Sequence, residues 1–214
     1  MNMMKKNNCN SRRHFWRVLV ATLLLSGSFT SVGAIIVGDD TISRGYEDTY
    51  DNTAFGLASK VFTSGTGFAA VDMWSTYLYR AGTAAMLVLR DTGDANNPVV
   101  VGFDQQTGSA GLNNFSLSSA IFVQTGDYLG FWNGTGRIEF GNTGAFDTIY
   151  SCAVGNCPST LPAVGGTIEL PSANILSRDY SINASFTEVS EPGALALICL
   201  GLAGLGFARR KTKA

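Results

Sequence analysis

The chain holds one histidine, His14, close to its N-terminus. Residues 35–190 have none, so that stretch cannot build a Ser-His-Asp or Cys-His catalytic site, nor a His-ligated zinc or haem. Cysteine is sparse as well. Cys9 and Cys199 sit towards the two ends, which leaves only Cys152 and Cys157 between them. Basic residues are also few there: six Arg and Lys against fifteen Asp and Glu, in a chain whose overall net charge is −1. Phosphate backbones and anionic lipid surfaces are held by clustered cations, so this acidity argues against nucleic acid and against docking on anionic lipid. It suits solubility and admits divalent cations as counter-ions.

The missing positive charge is at the ends. Lys5, Lys6, Arg12, Arg13 and Arg17 stand among the first 34 residues without a single acid. An apolar run over 18–25 follows, and small residues then lead to Val32-Gly33-Ala34. This order is that of a signal peptide over residues 1–34, cleaved after Ala34. The run is too short to anchor stably across a bilayer core of about 30 Å. It has no polar face, so it is not an amphipathic first helix. Ser11-Arg12-Arg13-His14-Phe15-Trp16-Arg17 resembles the twin-arginine signal, which implies export in the folded state. A Sec signal with paired arginines shares this layout, and both routes stay open.

At the other end, residues 193–208 are apolar and Arg209-Arg210-Lys211 follow at once. As a helix the apolar stretch would be about 24 Å long, and snorkelling arginines would extend its reach. The positive-inside rule keeps the basic end in the cytoplasm, with the body of the chain exported. Ser190-Glu191-Pro192, the Gly/Leu/Ala-rich segment and the basic end, taken in that order, resemble a PEP-CTERM sorting tail over residues 190–214. The resemblance implies an exosortase as partner, a membrane-inserted precursor, cleavage near Glu191-Pro192, and a bacterium that makes exopolysaccharide. Ser190 stands where that motif has its first proline. An ordinary C-terminal anchor would share the hydrophobic-tail layout.

Between the signals, residues 35–189 are long enough for one domain with its own core. They are rich in Gly, Thr, Ser, Val, Phe and Tyr, with short apolar runs cut by turn residues. Strands are expected at 55–63, 67–79, 84–90, 99–103, 115–123, 128–132, 137–140, 148–152, 167–170 and 180–187. That number and spacing predict an all-β fold, a β-sandwich or jelly roll, flanked by an N-terminal signal helix and a C-terminal transmembrane sorting helix. Asp91 to Pro98 reads as a polar turn, and Asn133-Gly134 as a hairpin turn. Residues 121–131, with Gly126-Asp127, resemble a hairpin common in secreted jelly rolls. Alternation puts Tyr128 and Gly130 on one face of their strand, Leu129 and Phe131 on the other.

An isolated cysteine pair in an exported chain predicts a Cys152–Cys157 disulfide, since a metal site lacks its other ligands and a redox motif needs closer spacing. Asp91 and Asp94, beside Asn96 and Asn97, are weak calcium candidates, because turns favour these residue types anyway. Asp39, Asp40, Glu47, Asp48 and Asp51 are expected to form a solvated segment. Asp127 and Glu139, on neighbouring expected strands, are the best available carboxylate pair for a glycosidase. Trp132 and Tyr128, with Trp74, are candidates for sugar stacking, although core packing is the commoner fate of aromatics in sandwiches. The expectation is a non-catalytic surface or matrix protein without a cofactor, partnered by exosortase and exopolysaccharide. A carbohydrate-binding module and a glycoside hydrolase are the alternatives.

Overall fold

The computed structural model describes residues 34–47, 51–65, 67–142, 147–152, 157, 159–176 and 178–189. Among them are thirteen strands and no helix. In chain order these are β1 (Ile35–Gly38), β2 (Tyr46–Glu47), β3 (Thr53–Val61), β4 (Phe68–Arg80), β5 (Gly82–Arg90), β6 (Val99–Gly108) and β7 (Gly111–Gln124). They continue as β8 (Tyr128–Asn133), β9 (Arg137–Gly141), β10 (Asp147–Ser151), β11 (Ser172–Leu176), β12 (Asp179–Tyr180) and β13 (Ile182–Glu188). The expected signal helix and transmembrane helix, with Ser190, Glu191, Pro192, Arg209, Arg210 and Lys211, lie outside the described residues; Ala34 is described, exposed just before β1.

The strands form two antiparallel sheets. One has the order β1-β13-β4-β9-β12, with β2 on β9 and β7 on β4. The other has the order β11-β10-β3-β8-β5-β6. Alternation along each strand turns one set of apolar side chains towards the opposite sheet. Ala69, Val71, Trp74 and Leu78 of β4 thereby meet Phe55 and Leu57 of β3, Met86 and Val88 of β5, and Leu129 and Phe131 of β8 in one core. Aromatic rings join the two layers, with Phe131 and Tyr180 centroids 4.6 Å apart.

The chain changes sheet often, and the corners are tight. Only Ala81 separates β4 from β5. Gly82 then has φ +152°, and a Cβ there would lie 2.3 Å from the Gly136 nitrogen. Glycine alone fits a backbone approach so close. This corner also corrects the Asn133-Gly134 expectation: β8 and β9 lie in different sheets, so the segment is a crossover and not a hairpin. Gly134 and Gly136 N–H both donate to the Thr83 carbonyl, at 2.9 and 3.0 Å. The 121–131 segment is likewise no hairpin, since β7 and β8 belong to different sheets. Residues 91–98 do join a paired hairpin, β5 with β6. Residues 167–170 do not form a strand beyond one bridge, Val99 to Thr167.

The N-terminal acids are not merely solvated, because cations are drawn to them. Lys60 pairs with Asp39 at 2.8 Å, and Arg137 with Glu47 at 3.2 Å and Asp51 at 3.0 Å. Arg80 also pairs with Asp51. Asp48 lies outside the described residues. Partial burial would raise the Asp51 pKa, but hydrogen bonds and charge from Arg137 and Arg80 outweigh it and hold the carboxyl below the ordinary Asp value. A depressed folded pKa adds stability above the unfolded value, and that stability is lost as pH falls through the folded one. Asp51→Asn is therefore expected to cost under about 1 kcal/mol at neutral pH, as befits a pair open to solvent. Urea midpoints of the two proteins should converge as pH falls below the ordinary Asp range; a constant gap would contradict the pairing.

Candidate functional site

Trp132 and Tyr128 stand on the face of β8 that points away from the main core, as alternation required. That face is covered. Ile168, Leu170 and Leu161 pack over it, with Cys152 and Cys157, and form a second apolar cluster with Ala54, Ala85, Leu87, Leu89 and Val100. Trp132 and Tyr128 are each only 5% exposed. A sugar needs an open ring face to stack on, so the stacking assignment is corrected to core packing. Burial, then the charge of Asp91 and of Tyr150, pushes the Tyr128 phenol far above its ordinary pKa.

The carboxylate pair is also corrected. Asp127 precedes a strand of one sheet, whereas Glu139 lies on β9 of the other. Asp127 is 0% exposed. Arg90 Nε and an Arg90 terminal nitrogen donate to its two oxygens at 2.6 and 2.8 Å, and Gln124 N–H donates at 2.9 Å. The bond to Asp127 raises the Arg90 pKa further above its ordinary value, against the opposing effect of burial. Glu139 accepts from the backbone N–H groups of Arg44 and Gly45, at 2.5 and 2.9 Å, and from Ser43 Oγ at 3.1 Å. Each carboxylate fastens a turn or loop, which sequence spacing alone does not reveal.

Asp91 accepts from Gly93 N–H at 2.7 Å. Asp94 accepts from Asn96 N–H at 3.0 Å and from the Asn97 amide at 2.8 Å. Both thus serve their own turn, as Asp does when its side chain substitutes for a backbone acceptor. Cys152 and Cys157 are bonded, with Cα atoms 5.1 Å apart. The Ala54 N–H points at Cys152 Sγ, 3.1 Å away, which ties the cysteine loop to β3.

The functional junction is instead where β13 ends. Its inward residues, Ile182, Ala184 and Phe186, are fully buried, so the strand is held firmly between β4 and β1. Its last residue, Glu188, accepts from Gly65 N–H at 2.5 Å. Val189 N–H still reaches the Phe68 carbonyl at 3.3 Å. β1 runs antiparallel to β13, with Ile35 opposite Phe186. Ala34, the expected signal cleavage point, and Val189, the last described residue, therefore emerge at the same end of one sheet.

Fold and junction together define an all-β domain with a C-terminal signal appended directly to its last strand. That signal is a PEP-CTERM protein-sorting motif, whose family model matches residues 188–211. The match starts at Glu188, two residues earlier than the tail boundary read from the sequence. No curated protein and no solved structure matches the chain. The motif bespeaks exosortase recognition and sorting towards the cell surface.

Proposed function

We propose that this chain is an exported, non-catalytic surface or matrix protein. Its tail anchors the precursor in the membrane until exosortase cuts near Glu191-Pro192, and its β-sandwich acts at the destination by adhering rather than by turning over a substrate. The observation that carries the reading is the position of the sorting motif, which begins on the last residue of β13. The processing enzyme would thus meet the chain immediately outside the folded sheet.

Two features support the non-catalytic part. Asp127 and Glu139 are committed to structural hydrogen bonds, and residues 35–190 have no histidine to act as a general base. All six cations of this stretch are engaged as well. Arg44, Lys60, Arg80, Arg90 and Arg137 form ion pairs, and Arg178 lies 4.2 Å over the Phe140 ring. The exposed acids, among them Asp40, Asp72, Asp91, Asp94 and Glu169, face a matrix in which divalent cations bridge acidic protein and acidic exopolysaccharide.

In cells lacking exosortase, the full tail, including Arg209 and Arg210, is expected to stay in the membrane fraction. With the enzyme present, a shortened form should leave it. If the tail is kept in both strains, it is only an anchor and the sorting proposal fails.

A further inference from the structure

The outer face of the seven-stranded sheet carries exposed apolar side chains at both ends, Tyr79 and Leu112 at one and Phe68, Phe122, Ile36 and Met73 at the end where the chain leaves it. Core residues Ala69, Val71, Ile121 and Val123 point inward, so alternation turns Phe68, Ala70 and Phe122 outward. Phe68 is 60% exposed and Phe122 65%. Ala70 pairs with Phe122 on one side and Thr187 on the other, which places these residues in one row across β7, β4 and β13. Ile36 and Met73, both exposed, flank Ser185 in the next complete row. Asp72 is the acid on this stretch of β4, and Thr187 Oγ1 donates to it at 2.5 Å.

The length of the tail decides what this face meets. Val189 is bonded to the Phe68 carbonyl, and three residues separate it from Gly193, where the apolar stretch begins. Fully extended, the four steps span at most about 14 Å. The headgroup region on each side of a bilayer is roughly 5–8 Å deep. A tail inserted from Gly193 therefore keeps the Phe68 end of the sheet, and not its Leu112 end, within about 14 Å of the acyl boundary, in reach of the headgroups. Aromatic and aliphatic side chains gain by entering that zone, and no cation of the domain lies in these rows to favour anionic lipid.

The geometry points to a membrane-docking surface: Phe68, Phe122 and Ile36 rest in the interface of a zwitterionic bilayer while the tail is uncut. This rests on the tail-anchored precursor proposed above. Docking would fix the domain's orientation and hold residues 190–192 at a constant height beside a membrane-embedded processing enzyme. Cleavage would then release the face along with the tail, because an apolar patch this small binds a bilayer weakly on its own.

The test uses the tailed chain from membranes of exosortase-lacking cells, reconstituted into phosphatidylcholine vesicles with brominated acyl chains. Phe122→Trp and, separately, Phe68→Trp report on the docking end. Leu112→Trp reports on the far end, since its partner Tyr77 lies seven residues along β4 from Ala70, about 23 Å away. All three sites are exposed, so the core is left intact, and the native Trp74 and Trp132 are buried. The added emission should be quenched at Phe122→Trp and Phe68→Trp and not at Leu112→Trp. Equal quenching at both ends, or none at either in protein that floats with the vesicles, overturns the docking surface while leaving the anchor standing. Protein that fails to float overturns the anchor, and the docking surface with it.

Discussion

Trp132→Ala is expected to destabilise the domain by about 3–5 kcal/mol, the usual cost of emptying a buried aromatic site. The indole fills the cluster made by Ala54, Ala85, Leu87, Ile168 and Leu170, and its loss leaves a cavity that two β-strands cannot collapse to fill. A Cβ added at Gly134 would lie 2.6 Å from the same ring, which shows how closely the ring is enclosed. Against a typical total stability of about 5–15 kcal/mol, the change would unfold a large share of the protein on mild heating. Urea denaturation of wild type and variant measures it. An exposed stacking residue would behave otherwise: polysaccharide binding would vanish and the unfolding midpoint would stay where it was.

Asp127→Asn is expected to cost about 3 kcal/mol, the low end of the range for breaking a buried ion pair. The low end applies because Arg90 is half-buried and can still reach water. The amide that replaces one carboxylate oxygen is a donor facing other donors, Arg90 and Gln124 N–H. Removing both partners, as Asp127→Asn with Arg90→Gln, should therefore be less damaging than the sum of the single changes. Chemical denaturation of the four proteins gives the coupling. A catalytic Asp127 would give the reverse pattern, with hydrolase activity lost and the unfolding midpoint unchanged.

Both results turn on burial, which explains what could be read in the sequence. The alternation of Leu129 and Phe131 against Tyr128 and Trp132 is local, and β8 follows it. That both faces of β8 are covered is not local. It depends on residues 161–170 folding back from some thirty positions away, in a segment whose own pattern suggests a strand. The turn residues at 91–98 acted locally and gave their hairpin. Asn133-Gly134 did not, because the Thr83 carbonyl and the Gly82 corner, set by a different part of the chain, captured the loop.

The edges of the fold were the least legible. β1 and β2 are four and two residues long, too short for a periodic pattern, and each is held by a partner remote in sequence, β13 and β9. The polar halves of β6 and β7, such as Asp104 to Gly108 and Gly111 to Asn114, lack the apolar run that marks a strand. Asp104 is held there by the buried Trp74, whose Nε1 donates to it at 2.7 Å. The sorting tail was legible for the opposite reason. A sorting motif is defined by the linear order of its parts, so it can be recognised without the fold.

The central claim is that both ends of this chain are addresses and only the sheet-forming middle persists. Intact-mass analysis of the protein released from cells tests it most directly. The account predicts one species that begins at Ile35, ends near Glu191-Pro192 apart from any group the processing enzyme adds there, and is two hydrogens lighter than its reduced form because Cys152 and Cys157 are joined. A released species that still carries Arg209 and Arg210, or one that starts before Ser26, would contradict it.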